Sequence, residues 1–301
     1  MAAMKGGVKE SMDVKPAQRR HRPTTAKARG SRIFTALALS ASLLVGACST
    51  SSDEEDFASN DTPAGVLFNE GLALRNEGRL KDARVKFAEV DKLHPYSEYS
   101  RKALINLAFI NYSLGKFTEA ISAAKRFATL YPGNEDTAYA LYIIGQSYHK
   151  QIPDVQRDQD MTRRALNAYS ELVQRYPDSE YAEDARTKIR IAEDQLAGKE
   201  MEVGRYYLKR GLQIAAINRF KAVVINYQTT RHVEEALFRL TESYYSLGVI
   251  NEAQTAAAVL GHNFPDSRWY KDAYSLLKTG GYSPDEDKGS WISQAFAGIN
   301  L

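Results

Sequence analysis

The chain has 301 residues, 44% hydrophobic and 26% charged, a composition that suits a globular body and not a bundle of membrane spans. Its net charge of +3 is unevenly placed: residues 1–47 hold nine of the 40 Lys and Arg but only two of the 37 Asp and Glu, leaving a mildly acidic remainder. Such a body argues against nucleic acid as a partner, because neutralising phosphates needs a basic face. The single cysteine, Cys48, excludes an internal disulfide, so the fold must stand on packing alone.

The first segment reads as an address. Residues 5–32 are basic, and Ile33 to Ala47 follow without a charge. A basic stretch, a short apolar core and small residues before a cut describe a secretory signal over residues 1–47. Fifteen residues are short for a spanning helix, which needs about 20; an uncleaved membrane anchor is the competing reading. Val45-Gly46-Ala47-Cys48 resembles the lipobox of bacterial lipoproteins. That resemblance implies cleavage before Cys48, a diacyl group on its sulfur and acylation of the new amino group. Two or more chains anchor stably where one holds marginally. Ser49, in a place where Asp tends to retain such proteins in the inner membrane, points to the outer membrane. Residues 48–63 are polar and acidic and read as a flexible tether.

From residue 64 onward the chain repeats. Gly78, Ala83 and Pro95 recur 37 residues later as Gly115, Ala120 and Pro132, and Gly211 and Ala216 recur 37 residues later as Gly248 and Ala253. This spacing resembles the tetratricopeptide repeat, a pair of antiparallel helices, A and B. Ala165 and Pro177 supply a third unit, whose two helices are parted by an insertion at about 151–162. Gly71, Ala108, Gly145, Gly204 and Thr241 fall at the small position of helix A, and alanines occupy that of helix B. The next large position of helix B is Phe87, Tyr169 or Phe220 in three units and Ala124 or Ala257 in the others. Pro95, Pro132, Pro177 and Pro265 end B helices, and Ser97, Ser179 and Ser267 are expected to cap the helices that follow. Ser179 to Arg210 lacks proline and predicts one long or slightly broken helix. The expected architecture is all-α, a solenoid of about five helix pairs in two lobes. Residues 64–178 form three repeats, residues 179–279 form two repeats and a capping helix, and residues 280–301 form a weakly amphipathic tail.

Nothing in the sequence points to catalysis. The five histidines are scattered, no Cys-x-x-Cys pair exists, and Asp154 to Asp160 resembles a calcium loop without its glycine and terminal glutamate. Phosphate-binding, dinucleotide and nucleophile-elbow motifs are missing. No metal or cofactor is expected beyond the covalent lipid on Cys48. Binding is better supported. Stacked pairs line a concave surface with A helices, and its inward positions in the first three units are Phe68, Leu72, Arg75, Ile105, Phe109, Tyr112, Tyr142, Gln146 and His149. These read as a groove for an extended peptide with apolar or aromatic side chains. A slip of one residue in register would make the same side chains core.

A lipobox followed by five such repeats resembles the BamD family (also called ComL or YfiO), lipoproteins of the outer-membrane β-barrel assembly machinery. The most specific phrases are Tyr96-Ser-Glu-Tyr-Ser100, Tyr181-Ala-Glu-Asp-Ala-Arg186, Leu196 to Tyr207, Ala215 to Phe220 and Gln228 to Ala236. The resemblance implies an N-terminal lobe that receives the C-terminal targeting strand of unfolded outer-membrane proteins. It implies a C-terminal lobe that docks on BamA beside other machinery subunits. It also implies that Arg219, in Asn218-Arg219-Phe220, sits at the docking position, where a guanidinium can pair bidentately with a carboxylate; an ordinary exposed arginine is the other reading. The expected location is the periplasmic face of the outer membrane. A different repeat lipoprotein, scaffolding cell-wall or envelope factors, would share the fold and differ in partner.

Overall fold

The computed structural model describes residues 62–298. Cys48, the signal segment and almost all of the tether lie outside them. Twelve α-helices and no strand occur among the described residues. They are α1 (Ala64–Asn76), α2 (Leu80–Leu93), α3 (Glu98–Ser113), α4 (Phe117–Leu130), α5 (Thr137–His149), α6 (Asp160–Arg175), α7 (Ala182–Lys209), α8 (Gln213–Asn226), α9 (Val233–Ser246), α10 (Ile250–Asn263), α11 (Arg268–Thr279) and α12 (Trp291–Phe296). Helices α1 to α10 each pack mainly on their chain neighbours, as a stack of helix pairs requires, whereas α11 packs more on α9 than on α10, and α12 packs on α10 and α8.

Turn chemistry sets the pairs. Gly78, Gly115, Gly211 and Gly248 follow the A helices with φ of 77°, 72°, 71° and 73°, the left-handed conformation that ends a helix and that glycine adopts without strain. The B helices stop one or two residues before the prolines. In the fourth unit α8 stops at Asn226 although Gln228 stands where proline would. The Ser97 and Ser267 hydroxyls accept from the Ser100 and Trp269 amides and cap α3 and α11 as expected. Ser179 differs. Its hydroxyl accepts from the Tyr181 amide at 3.3 Å within a turn, and α7 begins only at Ala182.

The A and B helices meet at the small positions. A methyl on Gly71, Gly145 or Gly204 would come within 3.0 Å of the Phe87, Tyr169 or Phe220 ring, respectively. Those three aromatics have no solvent exposure. In the second unit Ala108 and Ala124 hold the two positions, both fully buried in one core, and in the fifth Thr241 takes the place of glycine while Ala257 takes that of the aromatic. Bulk on one helix is thus matched by its lack on the other.

Helix α7 runs unbroken through 28 residues. Its first half buries Ala182 and Ala185 in the core of α5 and α6, and its second half buries Ala197 and Met201 in the core of α8 to α11. The insertion between α5 and α6 is shorter than expected, because α6 already starts at Asp160. It is an ordered loop. The Gln159 amide donates to the Asp154 and Arg157 carbonyls, while Gln195 and Lys199 of α7 donate to Pro153 and Gln156. The tail also differs from a free end. It folds back on its own chain and buries Ile292 and Phe296 in the core shared with α8 to α10, each worth about 1.5–3 kcal/mol.

The glycine–aromatic matching predicts a coupled pair of substitutions. Gly204→Ala should destabilise by about 1–3 kcal/mol through overpacking. Phe220→Ala alone should cost about 3–5 kcal/mol and clearly less in the Gly204→Ala background, where the pair resembles the second unit. Chemical denaturation of the four proteins checks this, and strictly additive losses would refute the matching.

Candidate functional site

Eight of the nine groove residues divide into three groups. Phe68 belongs to the core: it is 7% exposed, and its ring packs 5.5 Å from Phe87 and 5.6 Å from Tyr99. Leu72 packs half-buried against the same cluster.

Arg75, Ile105 and Phe109 are brought together. With Leu80, Asn106, Asp136 and Tyr139 they line an open cleft of about 530 Å³ on the A-helix face of the first three units. Its floor is apolar, and its rim carries one cation and one anion. The Arg75 guanidinium donates to the Asn106 side-chain oxygen, which aims it across the cleft from the end of α1. Burial pushes the Tyr139 phenol up, while the charge of Arg75 pulls the other way.

Tyr142, Gln146 and His149 form a second cluster further along α5. The Tyr142 hydroxyl donates to the Asp184 carboxylate of α7 at 2.7 Å and accepts from the Gln146 amide at 2.6 Å. Its ring stacks on Tyr181 at 5.0 Å. Burial, and then the bond to Asp184, push its phenol up to about 12. Tyr139 lies 5.2 Å from the same Tyr181 ring, so an aromatic wall joins cleft and cluster. Tyr112 tilts against Phe117 at 6.0 Å, near enough to Tyr139 and Tyr142 for its charge to act on both, and its own phenol is raised by burial. Sequence reasoning missed Leu80, Asn106, Asp136 and Tyr139 of the cleft and Tyr181 and Asp184 of the cluster. Tyr139 lies one helical turn before Tyr142 on the same face, and that spacing was a usable signal.

Arg219 lies on α8 with its side chain 44% exposed, and its guanidinium is 3.2 Å from the Glu200 carboxylate of α7. Beside it, Asn218 lines a hollow of about 520 Å³ with Leu212, Ile214 and Leu247. Ile214 is 69% exposed, and Leu212, Leu247 and Val249 are also exposed. This apolar patch was readable in the sequence: Leu212 and Val249 follow the turn glycines where the first two units have Arg79 and Lys116.

The comparisons with known proteins agree with this architecture. Residues 60–260 match the YfiO family, described as outer membrane lipoprotein. The chain belongs to this family. Among its relatives, the outer membrane protein assembly factor BamD of Caulobacter vibrioides is 46% identical over 240 residues, covering 80% of this chain and 79% of the relative. The protein of the same name from Rickettsia prowazekii is 39% identical, covering 78% and 93%. That of Neisseria meningitidis serogroup A is 33% identical, covering 79% and 94%. The family match ends inside α10, before α11, the tail and α12.

The cluster on α5 generates a pH dependence. Burial, helped by Lys188 and Lys150, holds His149 below its ordinary range, and its Nδ1 is buried without a partner. His232, also depressed by burial, lies beside Asp194 and Gly198. The unfolded chain takes up these protons near pH ~6.5 and the folded chain only below it. Their contribution to stability is therefore full above that value and lost as pH falls toward the folded pKa. The melting temperature should drop between roughly pH 7.5 and 5.5, and His149→Gln with His232→Gln should shrink the drop. An undiminished drop in the double variant would assign it to other groups.

Proposed function

We propose that this chain is an assembly factor for outer membrane proteins that works by binding and not by catalysis. The name shared by its relatives supports the general role. In this reading the A-helix face of the first three units receives an extended segment of an unfolded outer membrane protein. The observation that carries it is the cleft of Ile105, Phe109 and Tyr139 with Arg75 at its rim. An apolar floor suits an aromatic side chain, and a guanidinium suits a terminal carboxylate, so the cleft fits the end of a chain that closes on an aromatic residue. The wall of Tyr139, Tyr142 and Tyr181 extends the surface for preceding residues.

The same reading places the protein on the periplasmic face of the outer membrane, held by lipid on Cys48. Its C-terminal units dock on BamA within the assembly machinery. Leu212, Ile214 and Leu247 supply an apolar contact beside Arg219. Arg219 can exchange Glu200 for a carboxylate on the partner, because a partly exposed pair contributes little on its own.

Two measurements test the two halves. Arg75→Glu should weaken binding of a peptide that ends in phenylalanine with a free carboxylate by roughly tenfold or more, and should weaken its C-terminal amide less. Equal loss for both peptides would remove Arg75 from carboxylate recognition. Arg219→Glu and Ile214→Asp should each reduce co-purification of BamA from gently solubilised membranes. Recovery of cell-wall factors without BamA would replace the assembly role by that of an envelope scaffold.

A further inference from the structure

The C-terminal tail shows how a groove between B helices of this chain is filled. Helix α12 lies between α8 and α10 and buries Ile292 and Phe296. The Lys221 ammonium sits 4.4 Å from the Trp291 ring centre, and Trp291 is within reach of the Tyr244 hydroxyl. The Gln228 amide donates to the Ala295 carbonyl at 2.6 Å. The Ser290 hydroxyl, which caps α12, donates to the Glu252 carboxylate at 2.7 Å.

The repeat carries every one of these positions to a second groove. Aligning Ala120 with Ala216 shifts the numbering by 96, and aligning Ala165 with Ala253 shifts it by 88. Lys221 then corresponds to Lys125, Tyr244 to Tyr148, Gln228 to Pro132 and Glu252 to Arg164. All four counterparts line one hollow of about 610 Å³ between α4 and α6, with Leu141 and Ile144 of α5 as its floor. Where Lys221 meets the Trp291 ring of α12, the Lys125 ammonium lies 5.7 Å from the Tyr148 ring centre of its own groove and donates to the Tyr148 hydroxyl at 3.2 Å. No helix among the described residues fills this hollow as α12 fills the other.

We infer that the α4–α6 groove docks a short amphipathic helix of a partner protein, seated as α12 is seated, with an aromatic residue in its first turn and an acidic residue at its cap. The acid follows from the one exchange that reverses charge. Where Glu252 accepts from a serine hydroxyl, Arg164 offers only donors, and Asp or Glu at a helix N-terminus also suits the helix dipole. Arg175 takes the place of Asn263 at the far end, so the rim carries Lys125, Arg164 and Arg175 against Glu171 alone. Arg164 and Arg175 pair in the free chain with Asp160 and Glu171 along their own helix, exposed pairs that an incoming carboxylate can replace at little cost. This groove is separate from the A-helix cleft, and the inference does not rest on the proposed function.

The test uses two labelled peptides spanning residues 288–298, one unsubstituted and one carrying Ser290→Asp, titrated against the full chain in detergent by fluorescence anisotropy. The Ser290→Asp peptide should bind the tighter of the two. Lys125→Glu and Arg164→Glu in the chain should each weaken it at least fivefold, while Lys221→Glu and Glu252→Arg leave it unchanged. All four replace side chains at a groove rim, and a melting curve for each confirms that the fold is kept; Arg164→Lys should retain most of the binding. Three results overturn the inference: no saturable binding, equal binding of both peptides, or a loss that follows Lys221 and Glu252 and so marks the tail's own groove. Self-association of the chain that Lys125→Glu abolishes would name a second copy as the occupant and overturn it as well.

Discussion

The contact on which the rest depends is the meeting of a glycine on helix A with an aromatic ring on helix B. With no Cβ in the way, Gly71, Gly145 and Gly204 let an edge of the Phe87, Tyr169 and Phe220 rings approach the neighbouring backbone closely at complete burial. That closes each pair at one fixed spacing. Every other surface of a unit is then free to vary, because the pair no longer needs those side chains to hold it together. The second unit fills the two positions another way, with Ala108 and Ala124, both fully buried. The requirement is on the summed volume of the two positions and not on either residue.

Freed positions have diverged between the two ends of the chain. Along the A-helix face, Phe109 and Tyr139 of the cleft correspond by the same 96-residue shift to Arg205 and Glu235. Those two form a bidentate ion pair, with both N···O distances 2.9 Å, and Arg239 joins from one turn later on α9. Burial raises the Glu235 carboxyl, but the hydrogen bonds and charges of Arg205 and Arg239 outweigh it and hold the group below the usual carboxylate range. What is an apolar opening in the first three units is thus closed by paired charge in the last two.

The sequence was legible where physics repeats and opaque where it does not. Turn glycines, small positions and proline stops recur at fixed spacing, so helix pairs and their register could be read from Gly78, Ala83 and Pro95 alone. Phe68 was misplaced because its column also holds Ile105 and Tyr142, which line the A-helix face, whereas the rings of Phe87 and of Tyr99 from the next unit enclose Phe68. Ser179 looks like Ser97 in its phrase yet bonds within a turn, a difference that residue type does not encode. The tail was opaque for a related reason. A six-residue helix has too few turns to show a periodic face, and its partners Lys221, Gln228 and Glu252 are polar residues that read as solvated surface.

The two faces lead to one asymmetry. In the last two units the A-helix face is closed by Arg205, Glu235 and Arg239, and the B-helix groove is closed by α12. In the second and third units the corresponding places hold the cleft of Phe109 and Tyr139 and the groove of Lys125 and Tyr148. Both are open, and helix α5 borders both, with α1 to α3 completing the cleft and α4 and α6 the groove. The last two units keep their apolar exposure at the turns instead, at Leu212, Ile214 and Leu247. In the proposed reading, a chain that closes its own grooves at one end and leaves them open at the other separates two tasks along its length. Side chains at the closed end can be committed to a fixed contact without competing for an incoming segment. Those at the open end remain available on two opposite faces of one helix layer, so occupation of one face leaves the other accessible.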